Sequence, residues 1–108
     1  MVESSERGAL TEAVFYILLS LYKPMHGYGI MQNTKELSNE RLSLGAGTLY
    51  GAINTLLEKN WIKLIEGEKD ARKKEYRITE LGKKVMLGEM VRLKELLDNG
   101  EKIVGGEE

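Results

Sequence analysis

The chain has 108 residues, 42% of them hydrophobic and 31% charged, enough apolar content for one core and too short a length for two. It contains no cysteine and one histidine, His26, which excludes disulfide scaffolds, thiolate metal sites and cysteine nucleophiles and leaves histidine-based metal binding or catalysis almost without material. Sixteen basic groups against seventeen acidic ones give a net charge of −1 and a pI near 5.9, a balance that on its own argues against a nucleic-acid partner.

Leu10, Val14, Ile17, Leu18 and Leu21 follow the spacing of a buried helix face. Thr11-Glu12 is its start signal, and Lys23-Pro24 its end, because proline disfavours helix at the preceding residue. This apolar stretch is about half a bilayer span, and the opening Met-Val-Glu-Ser-Ser-Glu is acidic where an export signal is basic. A cytoplasmic chain without a membrane partner is expected. A second helix is predicted over Gly27 to Leu37, with His26 near its N-cap and Tyr28, Met31 and Leu37 as anchors. Gly27 and Gly29 weaken it, and allow another backbone or a phosphate to come close. A third helix is predicted over Ala46 to Lys59, with Leu49, Ile53, Leu56 and Leu57 within roughly 100° of arc and Asn60 at a left-handed C-terminal position.

Trp61 to Glu66 and Glu75 to Thr79 read as strands, joined by a polar, charged hairpin tip. Residues 1–40 carry three basic and five acidic groups, residues 41–77 eight and five, and residues 78–108 five and seven, so positive charge gathers in the middle third, above all between Lys69 and Arg77. Local field rather than total charge decides where a polyanion docks. Thr79-Glu80 opens a last long helix that is predicted to stop at Gly100. The order predicts a mainly α (α+β) winged helix-turn-helix: residues 1–78 form the DNA-binding domain, 79–100 a C-terminal dimerisation helix packed on it, and 101–108 a flexible tail.

In such a layout the third helix meets the major groove. Gly47 and Gly51 permit close approach, and Thr48, Asn54 and Thr55 offer hydrogen-bonding groups suited to base edges or phosphates, or are simply solvated positions. Arg72, Lys73 and Lys74 at the hairpin tip can straddle a phosphate backbone, or only solubilise a turn. In the last helix Met86, Met90, Leu93 and Leu97 step by 4, 3 and 4 like a coiled-coil seam. Leu81, Val85, Val91 and Leu96 broaden it; one face can pack on the first helix, but the apolar set is wider than a hairpin and short helices cover, so part of it, with Leu10 and Val14, is expected to pair with a second copy. No metal site, cofactor or nucleophile–base pair is indicated, and an enzyme is not expected.

His26-Gly-Tyr-Gly-Ile30, Gly47-Thr-Leu-Tyr-Gly-Ala-Ile53, Leu57-Glu-Lys-Asn-Trp-Ile62 and Arg72-Lys-Lys-Glu-Tyr-Arg-Ile-Thr-Glu-Leu-Gly82 together resemble the PadR family of transcriptional regulators, in order and over nearly the whole chain. Gly51 stands where many members have proline, and Asn60 where they often have glycine. The resemblance implies a homodimeric repressor on double-stranded DNA at a palindromic operator, released by a small hydrophobic or aromatic effector. It implies Thr48 and Tyr50 at the DNA-facing start of the recognition helix, Tyr28 near the backbone, and Arg72 to Lys74 on the wing. A winged helix that binds protein as an adaptor, without DNA, is the competing expectation, favoured by the acidic pI.

Overall fold

The computed structural model describes residues 8–65 and 74–106. Helix α1, Glu12–Ser20, starts at Thr11, whose hydroxyl accepts from the Val14 N–H at 3.1 Å, one of the orphan donors of a first turn. Ile17 and Leu18 on this helix and Leu21 just beyond it are wholly buried. The helix ends earlier than Lys23-Pro24 predicts, because the Leu21 carbonyl accepts from the Ile78 N–H at 2.8 Å and the chain leaves the helix to enter a sheet. Strand β1, Met25–His26, is two residues long.

Helix α2, Gly27–Leu37, is capped by His26, whose Nδ1 accepts from the Gly29 N–H at 3.4 Å. Its anchors differ from those expected. Tyr28 and Leu37 are exposed and Met31 is half-buried, while the core-facing stripe is Gly27, Ile30, Thr34 and Ser38. The two hydroxyls satisfy themselves locally, Thr34 on the Met31 carbonyl at 3.0 Å and Ser38 on that of Lys35 at 3.2 Å, which lets polar residues occupy a face normally apolar. Asn39 and Glu40 then adopt positive φ, and an ion pair from Arg41 to Glu12 ties this turn to the start of α1.

Helix α3, Ala46–Glu58, buries Leu49, Ile53 and Leu56. Asn60 follows it with φ 63°, the left-handed position that asparagine tolerates. Strands β2, Ile62–Leu64, and β3, Glu75–Ile78, pair antiparallel, and β1 adds to the other side of β3. The registers are Met25 opposite Tyr76 and His26 opposite Glu75, then Ile62 opposite Ile78, Lys63 opposite Arg77 and Leu64 opposite Tyr76. Tyr76 and Ile78 face the core.

Helix α4 runs from Glu80 to Val104, 25 residues, or about 37 Å. Thr79 caps it, accepting from the Gly82 N–H at 3.0 Å and donating to the Asn60 carbonyl at 2.7 Å. A stop at Gly100 is not observed, and residues 101–104, expected in a flexible tail, are helical. Gly100 faces open space, so its lack of a side chain costs about 1 kcal/mol of propensity without breaking the helix. Only the first ten residues of α4 reach the core: Gly82, Val85, Met86 and Glu89 are buried, and beyond Glu89 every side chain but that of half-buried Arg92 is exposed. Glu89, 1% exposed, accepts from the Leu10 N–H at 3.1 Å and from Arg92 at 3.0 and 2.5 Å, fastening the segment before α1 to the point where α4 leaves the domain. The result is a mainly helical winged helix with a small antiparallel sheet.

A side chain at Gly82 would collide with the Trp61 carbonyl and lie 2.7 Å from the Ile78 side chain. Gly82→Ala therefore lowers stability by about 1–3 kcal/mol, read as a lower urea midpoint at unchanged slope. Glu89→Ala leaves a backbone donor and Arg92 unpaired. It costs about 2 kcal/mol, since Arg92 can still reach water, and amide exchange at Leu10 should accelerate.

Candidate nucleic-acid interface

The topology brings three features to one end of the sheet. His26, the last residue of β1, pairs with Glu75, the first residue of β3 and the one next to the hairpin connection. From His26 the chain passes directly into α2, so the α2 N-terminus lies at the hairpin end. There the phenol of Tyr50, in the second turn of α3, packs on Gly27, where any Cβ would collide with its hydroxyl. Burial, and then the neighbouring Tyr50 phenol, push the Tyr76 phenol above its ordinary value, consistent with a wedge of Tyr50 between α2 and β3. Gly29 is filled in the same manner by Met25, whose Cγ would lie 2.8 Å from a Cβ. The space at these two glycines is thus taken internally and is not open to a phosphate, a correction to the sequence reading.

The opposite holds on α3. Gly47, Thr48, Gly51, Asn54 and Thr55 are all exposed, and nothing lies within 4 Å of a Cβ built on Gly47 or Gly51. Each of these glycines weakens the helix by about 1 kcal/mol relative to alanine, and no packing inside the chain requires it. Thr48 and Asn54 have no side-chain hydrogen bond among the described residues, whereas the Thr55 hydroxyl donates to the Gly51 carbonyl at 3.2 Å. Thr55 also borders a cleft of about 280 Å³ shared with Leu10, Val14 and Trp61, on the flank of the exposed face. Gly45, the N-cap of α3, was not singled out from sequence. It provides no side-chain cap, and the absence of Ser, Thr, Asp or Asn before Ala46 was the available signal.

Tyr28 is 64% exposed and receives a bond from Gln32 Nε2 at 3.4 Å on its hydroxyl, while Tyr50 is 41% exposed and keeps its ring on Gly27. Lys74 is exposed; Arg72 and Lys73 lie outside the described residues. The residues assigned to a dimer seam divide. Val85 and Met86 are buried within the protomer, at 5% and 1% exposure, and Leu10 and Val14 are half-buried against the same core, so these four already serve the single chain. Met90, Leu93 and Leu97 are exposed, as are Leu87, Val91 and Leu96.

The Transcriptional regulator PadR-like family matches residues 14–87 of the chain. An uncharacterized protein of Lysinibacillus sphaericus is 32% identical over 98 residues, covering 85% of this chain and 87% of its own. Among solved structures, a transcriptional regulator of Clostridium thermocellum is 26% identical with TM-score 0.62, over 86% of this chain and 88% of that one. A PadR family transcription regulator of Clostridium difficile has TM-score 0.71 at 22% identity, over 87% and 99%. With the match running from α1 through the wing into the first turns of α4, the chain belongs to the PadR-like family and is a transcriptional regulator, not an enzyme.

Proposed function

We propose that the chain binds double-stranded DNA as a homodimer and represses transcription from a palindromic operator. The observation that carries this reading is the pair Gly47 and Gly51. They are exposed, have open space where a side chain would stand, and flank Thr48 on the first two turns of α3. A helix surface kept bare at a cost in helix stability suits the close approach of another macromolecule's groove. Tyr28, Tyr50, Asn54 and Thr55 complete the surface on the helices, and Arg72, Lys73 and Lys74 extend it along the wing as phosphate contacts. Acting on chromosomal duplex, the protein works in the cytoplasm, and no described helix is long and apolar enough to cross a membrane.

The homodimer is supported by the distal part of α4. Met90, Leu93 and Leu97 keep the last two steps, 3 and 4, of the expected seam, and Val104 stands seven residues beyond Leu97. All are exposed in one copy, on a helix too apolar on this side to be left to solvent. Two copies joined there present two α3 helices, as two half-sites require. Release by a small hydrophobic or aromatic effector rests on the family resemblance.

Gly51→Glu separates folding from DNA binding. It replaces a poor helix former in open space, so the melting temperature rises by a few degrees. It also sets a carboxylate against the DNA, so retention on genomic duplex falls at least tenfold. Unchanged retention would favour the adaptor reading. Leu93→Glu moves the sedimentation mass to that of one chain and removes operator protection in footprinting, whereas the unmodified protein protects half-sites centred about one helical turn apart.

A further inference from the structure

The outward face of the wing carries a charge arrangement that the protein's own packing does not explain. Lys63 on β2 stands directly opposite Arg77 on β3. The Ile65 N–H donates to the Glu75 carbonyl at 2.8 Å, and the Thr79 N–H to the Trp61 carbonyl at 2.9 Å. By the alternation of an antiparallel ladder the Lys63–Arg77 rung between them is also hydrogen-bonded, with Cα atoms about 5.5 Å apart. Both side chains are exposed, on the face away from buried Ile62, Tyr76 and Ile78. Like charges placed directly opposite destabilise a sheet, and a carboxylate at either position would relieve the repulsion.

No relief comes from elsewhere in the described residues. Arg41 pairs with Glu12, Lys83 with Glu80, Arg92 with Glu89 and Lys94 with Asp98, but neither Lys63 nor Arg77 has an ion-pair partner. Glu75, two residues along β3 on the same face, is half-buried opposite His26 and pairs with neither. Exposed Lys74 adds a further charge toward the hairpin tip, the end at which the α2 N-terminus and Tyr50 also lie.

The geometry points to the Lys63–Arg77 rung as a phosphate-binding site of the wing, its ammonium and guanidinium bracketing one phosphodiester of duplex DNA. Arginine supplies a planar fork for two phosphate oxygens and lysine a mobile point charge, and an anion between them turns the repulsion of the free protein into attraction in the complex. The site rests on the DNA-binding reading above. It adds two strand residues to the helix and tip residues already assigned there, and it contributes affinity without sequence preference.

The test is binding to a random-sequence duplex by fluorescence anisotropy across a potassium chloride series. Lys63→Gln with Arg77→Gln should weaken binding roughly 10–100-fold near 0.1 M salt and flatten the log–log salt slope by about 0.9 per protomer, one phosphate's worth. Lys63→Glu alone, which makes the rung an ion pair, should raise the melting temperature at low salt by a few degrees and still weaken binding, so loss of folding cannot account for the result. If the unmodified protein binds steeply with salt and the double variant keeps its slope and affinity, this site is overturned and the DNA-binding reading stands. If the unmodified protein shows no salt-dependent retention on any duplex, both are overturned.

Discussion

The molecule turns on the junction where α4 meets the base of the wing. Thr79 donates its N–H to the Trp61 carbonyl and its hydroxyl to the Asn60 carbonyl, and its hydroxyl also caps α4. Gly82 passes so close to Trp61 that only hydrogen fits. One residue earlier, the Ile78 N–H reaches the Leu21 carbonyl at the end of α1. The ends of α1 and α3, the root of the hairpin and the start of α4 are therefore held at one place by backbone groups, which cannot swing as side chains do. The angle between α3 and α4 follows from this knot, and so does the way a second copy on α4 would orient its own α3.

The charge distribution makes sense on the same frame. In a chain of net charge −1 several helix carboxylates pair with nearby cations: Glu80 with Lys83, Glu89 with Arg92, Asp98 with Lys94. On the wing strands Lys63 and Arg77 have no such partner among the described residues. Electrostatic attraction acts through the local field, so a nearly neutral protein can present one positive edge while its remaining surface stays unattractive to a polyanion.

How much of this could be read from residues alone depends on whether a signal was local. The caps were legible: Thr11, His26, Asn60 and Thr79 each satisfy or accommodate the backbone beside them, and that chemistry depends on a few neighbours. The core face of α3 was legible from periodicity. β1 was not, since two residues carry no alternation and pair only because β3 is there. The stripe of α2 is not legible either, because Thr34 and Ser38 point inward with their hydroxyls satisfied on their own helix, while Tyr28 and Leu37, more apolar, point outward. Glycine gave the most divided evidence. At Gly27 and Gly82 it admits a neighbour of the same chain, at Gly47 and Gly51 it admits nothing internal, and at Gly100 it ended no helix; spacing alone does not distinguish these cases. The Lys63–Arg77 opposition needs the register, which two separated segments do not disclose.

The division of α4 at Glu89 sets two thermodynamic regimes in one continuous helix. Up to that residue its backbone is held by the same burial that holds the domain, and it melts when the domain melts. Beyond it lie fifteen residues without tertiary support from their own chain, a length at which an isolated helix is marginal in water. In the homodimer proposed above a second copy covers its apolar side, so order in that distal segment would rise with protein concentration. Under that proposal the protein has two stabilities, one intrinsic to a single chain and one collective.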